Sequence, residues 1–241
     1  MKFHFPLTKQ QNDFYGRIFD AILKYYPIGV KGDDPAYDKF PGQIELGDIV
    51  IDSIHNRKNY KSRWSDFNKE IRVESKKKTE AVTGAFRPSF SSNLILSKHK
   101  HQDLIHFKKL HYSVSLVGPF FTIYGFDETI ITDERRQYAS INIVTVSPYK
   151  EFEADFNFLK SKIEKKFKGY TFIPFTLNFM LIDGLYDPYN NNEEYTIYRS
   201  LFDDYLKEYN PLLKRGDSSY GFDRWVIYDM GAVVTLGPPP Q

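Results

Sequence analysis

Four of the six histidines in this chain, His99, His101, His106 and His111, fall within thirteen residues. On an extended strand His99 and His101 point to one face, a chelating geometry to which His106 or His111 would add a third nitrogen. Four lysines share the segment (Lys98, Lys100, Lys108, Lys109), and their charge opposes a bound cation. Asp103 is nearby, but not at a spacing typical of a metal site. We therefore expect no metal and no cofactor, and name His99, His101 and His106 as the residues a metal centre would use. An enzyme would need one of these three to meet a carboxylate such as Asp127 or Glu128 in a deep pocket.

Other chemistries lack their signatures. There is no cysteine, which excludes disulfides, thiolate metal sites and cysteine nucleophiles. Neither a Gly-x-Ser-x-Gly elbow nor either glycine-rich phosphate loop occurs, and Ser97 with Lys100 matches Ser-x-x-Lys only as a four-residue coincidence. Asp33, Asp34 and Asp38 lack the alternating ligands of a calcium loop and read as a solvated loop. Glu151, Glu153 and Asp155 suit the first turns of a helix through its dipole, and Asp203 and Asp204 read as the wet side of another.

Charge is the stronger signal. Between His55 and Lys78 there are nine Lys/Arg against three acids, and the span from His55 to His111 carries +9 while the whole chain carries only +2. If those cations share a face, the asymmetry makes a steering field. The expected contacts are Arg57, Lys58, Lys61, Arg63, Trp64, Lys76, Lys77 and Lys78, joined by Arg224 and Trp225 as an interface anchor. The leading expectation is a non-catalytic cytoplasmic domain that binds another, acidic protein, as a toxin-neutralising immunity-type protein does. The alternative is nucleic acid, with the same cations on phosphates and Trp64 stacking on a base. The sequence pI of 8.4 is below the range that flags nucleic-acid binders. The N-terminus has no continuous apolar segment of the secretory kind, and no stretch is long enough to cross a bilayer.

The elements that would carry these residues follow from periodicity. Residues 110–146 hold the densest alternation: Leu110, Tyr112, Val114 and Leu116 on one side, His111, Ser113 and Ser115 on the other. Two further runs, 120–126 and 138–146, follow after connections too short for a crossover helix, which predicts an antiparallel meander. Helical spacing marks 8–26, with Thr8 as cap, then the Trp64, Phe67, Ile71 stripe, then 152–167 and 195–206. Residues 43–54 fit strand or helix, 79–89 a loop, 90–97 a strand, 170–182 a buried strand, 183–194 a turn, and 222–228 with 232–236 a hairpin. The expected fold is α+β, one domain over 1–236 with a free Pro-rich tail at 237–241. Aromatics make up 17% of the chain, more than a core of this size requires on average, and most are expected inside.

Overall fold

A computed structural model describes residues 9–133, 135–174, 177, 180–187, 190–205 and 214–216. Thr8, the 222–236 hairpin, the tail, and with them Arg224 and Trp225, lie outside the described residues. Helix α1 (Lys9–Tyr25) buries the recurrence Phe14, Ile18, Ile22 and Tyr25. The following loop is closed by a one-turn helix, α2 (Pro35–Asp38), whose first N–H groups are met by Asp34: its Oδ1 accepts from Ala36 N at 2.8 Å. One of the three loop aspartates is thus a helix cap.

The ambiguous 43–54 segment is helix α3 (Pro41–Val50), extended by a π-helical turn, Ile51–His55. A second π turn, Lys61–Ser65, joins α4 (Arg57–Tyr60) to α5 (Asp66–Ser75). Such turns insert a residue into the helical ladder and rotate the side chains that follow. Here the second one turns Trp64 inward, in line with Phe67 and Ile71, all buried.

The meander is the centre of a sheet ordered β1-β2-β3-β4-β5-β9: Lys78–Ala81, Ser89–His101, Leu104–Ser115, Phe120–Asp133, Arg136–Thr145 and Lys214–Arg215. Its first five strands pair antiparallel in sequence order, so the fold is α+β as expected. The expected loop at 79–89 begins instead as edge strand β1, recruited by the β2 ladder although Lys-Thr-Glu-Ala has no apolar alternation. Strand β4 does not stop at Gly125 and Asp127. It continues through a bulge between Asp127 and Glu128, and Gly125 is required by packing, since a Cβ there would stand 2.6 Å from the Phe152 ring.

Helices cover both faces of this sheet. On one, Trp64 of the second π turn and Phe67 and Ile71 of α5 meet Phe156, Leu159 and Ile163 of α6 (Glu153–Lys166) over Leu110, Tyr112 and Val114. A 3-10 turn, Lys150–Phe152, leads into α6, and Gly169 (φ 83°) follows its end in the left-handed conformation. On the other face lie α1, α3 and the short helix Ile197–Leu201. The half-buried strand read from the alternation is therefore corrected: His111, Ser113 and Ser115 are as buried as Leu110 and Tyr112.

The C-terminal third departs most from expectation. Among the described residues of the 170–182 run, Thr171–Phe172 forms a short strand β6, parallel to β4, and Leu181 already belongs to the next strand. The expected turn is a second hairpin, β7 (Leu181–Asp187) with β8 (Asn190–Thr196). Gly184 (φ 77°) lets its carbonyl accept from Gly29 N at 2.7 Å. The helix expected over 195–206 is only five residues long and is capped by Thr196 Oγ1. It stops at Phe202 because Asp203 turns into the sheet.

Candidate functional site

Among the described residues no three of the histidines gather at one point. His99 stands directly across from His106 on β3, His101 is opposite Leu104, and both His99 and His101 face solvent. His106 Nε2 lies 3.8 Å from Asp127 Oδ1, as does Lys108 Nζ, which is itself bonded to Glu151 at 2.6 Å. Among the described residues no group of three metal-ligating side chains assembles. Glu128 is taken by Lys109 at 2.6 Å.

Asp127 Oδ1 is buried without a hydrogen bond. Burial raises its pKa, and the opposing charges of Lys108 and His106 do not cancel the rise. A carboxyl raised in the folded state binds protons the unfolded chain has already released, so its cost is complete above the folded pKa, shrinks as pH falls through it, and is gone below the unfolded pKa. Asp127→Asn is expected to stabilise the protein at pH 7 by about 1 kcal/mol, with a smaller gain at pH 4, measured by urea unfolding at both pH values.

The fourth histidine has a different environment. His111 lies between the rings of Tyr124 and Tyr205, at 4.9 and 4.6 Å, and both nitrogens face oxygen: Nδ1 is 2.8 Å from Asn93 Oδ1, Nε2 3.0 Å from Asp203 Oδ2. Asp203 also accepts from Ser91 Oγ (2.6 Å), Ser113 Oγ (3.0 Å), Tyr205 N (3.0 Å) and the Tyr198 hydroxyl. Burial pushes the Asp203 carboxyl up, but the His111 charge and the hydrogen bonds from His111, Ser91 and Tyr198 outweigh it and hold the group well below the usual range. Burial, then the Asp203 charge, lifts the Tyr124 and Tyr198 phenols well above theirs, and burial foremost pushes Tyr205 up to about 12.

Serine, histidine and aspartate thus meet, yet the wiring is not that of a hydrolytic triad. Such a triad divides the imidazole between carboxylate at Nδ1 and hydroxyl at Nε2. Here Nε2 faces both Ser113 Oγ (2.8 Å) and Asp203, while an amide takes Nδ1. Ser91, Ser113 and His111 are also closed off from solvent. The cluster is a structural carboxylate cage, and Asp203 is not on the wet side of a helix.

The expected contact residues separate into two groups. Arg57, Lys58 and Lys61 are exposed, with no carboxylate within ion-pair distance among the described residues, and Lys76 is exposed at the left-handed C-cap of α5. The others are engaged. Lys77 holds both oxygens of Asp155 (2.5 and 2.6 Å), Lys78 pairs with Glu80 (2.9 Å), and Arg63 donates to Ser53 Oγ (2.8 Å) beneath the Phe90 ring. Trp64 is buried, stacked on Phe90 at 5.5 Å, with Nε1 donating to Ser92 Oγ at 3.1 Å. Its ring is closed to a nucleic-acid base, which corrects the stacking role expected for it.

An open cleft of about 190 Å³ lies beside the first π turn, lined by Tyr26, Leu46, Val50, Ile51, His55, Phe86, Pro88 and Tyr195, among others. Ile51 (61% exposed), Phe86 (70%) and, on the same helix, Ile44 (56%) present apolar surface to solvent. His55 closes one end, its Nε2 bonded to the Ala85 carbonyl at 2.7 Å and its ring 5.9 Å from that of Phe86. Among the described residues that line it there is no serine, threonine or carboxylate. The helix α3 and π-turn sequence held the signal: Ile44, Leu46, Ile49, Val50, Ile51 and Ile54 are more apolar residues than one buried stripe accommodates.

Among the described residues no helix is long and apolar enough to cross a membrane. Comparison with protein-family models, with curated proteins and with solved structures finds no match.

Proposed function

We propose that this chain is a non-catalytic, cytoplasmic protein-binding domain whose partner inserts an apolar side chain into the cleft beside Phe86. The exposure of Phe86 and Ile51, which both line one concavity, carries the reading, because an apolar patch on a folded surface marks an interaction site. Charge suggests the partner's character. The acids of α3, Glu45 and Asp48, and Asp52 of the first π turn precede His55, with Glu45 taken by Lys24 and Asp52 by Asn59; Arg57, Lys58 and Lys61 follow it with no such partner. Among the described residues, Arg57, Lys58 and Lys61 thus present exposed cations without a carboxylate partner on the α4 side, and an apolar anchor flanked by acidic side chains fits best. Neutralisation of a toxin, the immunity-type role, needs only such occlusion and no chemistry of its own.

The test places a photo-crosslinking residue at position 86 and, as control, at position 73 on α5, where Val73 is 71% exposed. Both full-length proteins are exposed to lysate of the source organism, with and without nuclease treatment. An acidic protein should be captured at position 86 and not at 73. Capture should weaken with added salt and in the Arg57→Glu/Lys58→Glu variant. Phe86→Asp should cost the complex about 2 kcal/mol, roughly thirty-fold in affinity, with the unfolding midpoint unchanged. Equal capture at both positions, or none at 86, would sink the reading; an adduct that nuclease abolishes would favour nucleic acid instead.

A further inference from the structure

The wall of the cleft that carries Phe86 and Pro88 is the connection between β1 and β2, and three of the contacts that hold it lie at its C-terminal half. The Ala85 carbonyl faces His55 Nε2, the Pro88 carbonyl accepts from Leu116 N at 2.7 Å, and Arg87 Nη2 bonds Asp204 Oδ2 at 2.6 Å. The first two fix backbone at either side of Phe86. The third ties the loop to a residue 117 positions later, adjacent to the buried Asp203.

We infer that Asp203-Asp204 is a two-way clamp that positions the Phe86 wall of the cleft. Asp203 points down into the cage of Ser91, His111, Ser113 and Tyr198, which immobilises the dipeptide against the sheet. Asp204 points up and carries that fixity to Arg87. The pair is partly desolvated, with side chains 13% and 29% exposed, which sets it apart from solvated pairs such as Lys78 with Glu80. The same segment touches the cleft a second time: the Tyr26 hydroxyl, on the cleft's floor, donates to the Ser200 carbonyl at 2.8 Å. Asp204 and Arg87 are therefore positioning residues for a docking wall, acting through Phe86 without touching the partner's anchor. The role of the wall rests on the docking reading above.

Full-length protein carrying a trifluoromethyl-phenylalanine in place of Phe86 tests it by fluorine NMR, which needs no partner. The label should give one narrow line in the parent. In Asp204→Asn, and in Arg87→Gln as an independent break of the same bond, the line should move toward the free amino acid. The double variant should move it by less than the sum of the two single changes, since both break the same bond. Crosslinking from position 86 should fall about ten-fold in each while the urea midpoint stays within error. An unchanged line in both variants, with capture intact, would overturn the clamp alone. A line that responds in a chain capturing no protein would overturn the docking reading and leave the clamp standing.

Discussion

Asp203→Ala should destabilise the protein by about 3–5 kcal/mol, the scale for removing one partner of a buried charged pair. The carboxylate receives five donors, from Ser91, His111, Ser113, Tyr198 and the Tyr205 amide. Without it two serine hydroxyls, a phenol and an imidazole lose their acceptor where no solvent reaches. Ser113→Ala removes a single donor from the cage and should cost only about 1 kcal/mol. The pH dependence has a definite sign. A carboxyl held below its unfolded value contributes stability that is complete above that value and is lost as pH falls through the acid range, below about 4. Urea unfolding of parent and Asp203→Ala at pH 7 and pH 3 checks both statements: the gap between them should narrow at the lower pH. A parent as stable at pH 3 as at pH 7, with the gap unchanged, would show that the cage does not bind an ionised group.

Trp64→Ala should cost a similar 3–5 kcal/mol. Its indole contacts the rings of Phe67, Phe90, Tyr112 and Phe167 and supplies the N–H that Ser92 accepts. Truncation leaves a cavity at the joint between the second π turn and the sheet, and removes one of the donors to Ser92, which still accepts from the amide of Asn68 at 2.9 Å. Trp64→Phe retains most of the volume but not the hydrogen bond, and should fall between. Chemical denaturation of the two variants orders them; equal stabilities would mean that the pocket collapses around the smaller side chain.

Much of the scaffold was legible because it rests on local periodicity. Phe14, Ile18 and Ile22 repeat at four-residue steps and form a helix; Leu110, Tyr112 and Val114 alternate and form a strand. What periodicity reports is which side chains share a face, and it says nothing of what covers that face. His111, Ser113 and Ser115 therefore read as the wet side of a strand. They are instead covered by residues ninety positions away, and only the fold brings Asp203 to them. The basic run misled for a related reason: Lys77 and Lys78 counted as free charge, whereas Asp155 and Glu80 offset them in space. The cleft was not seen at all. Its walls come from Tyr26 just past α1, from α3 with its π turn, from the β1 to β2 connection and from β8, four segments with no common pattern.

The hydroxyl-lined face of the sheet also bears on how the chain finds its alignment. An interior of aliphatic side chains tolerates a sliding strand, since one methyl group replaces another at little cost. Here Ser91 lies opposite Ser113 and Asn93 opposite His111. Shifting β2 against β3 by two residues would keep every side chain on its own face, yet would set Asn93 beside Ser113 and strand His111 without its amide. Mispaired alignments are thus penalised by unmet hydrogen bonds as well as by poorer packing, and the polar interior acts as a proofreader of strand pairing during folding.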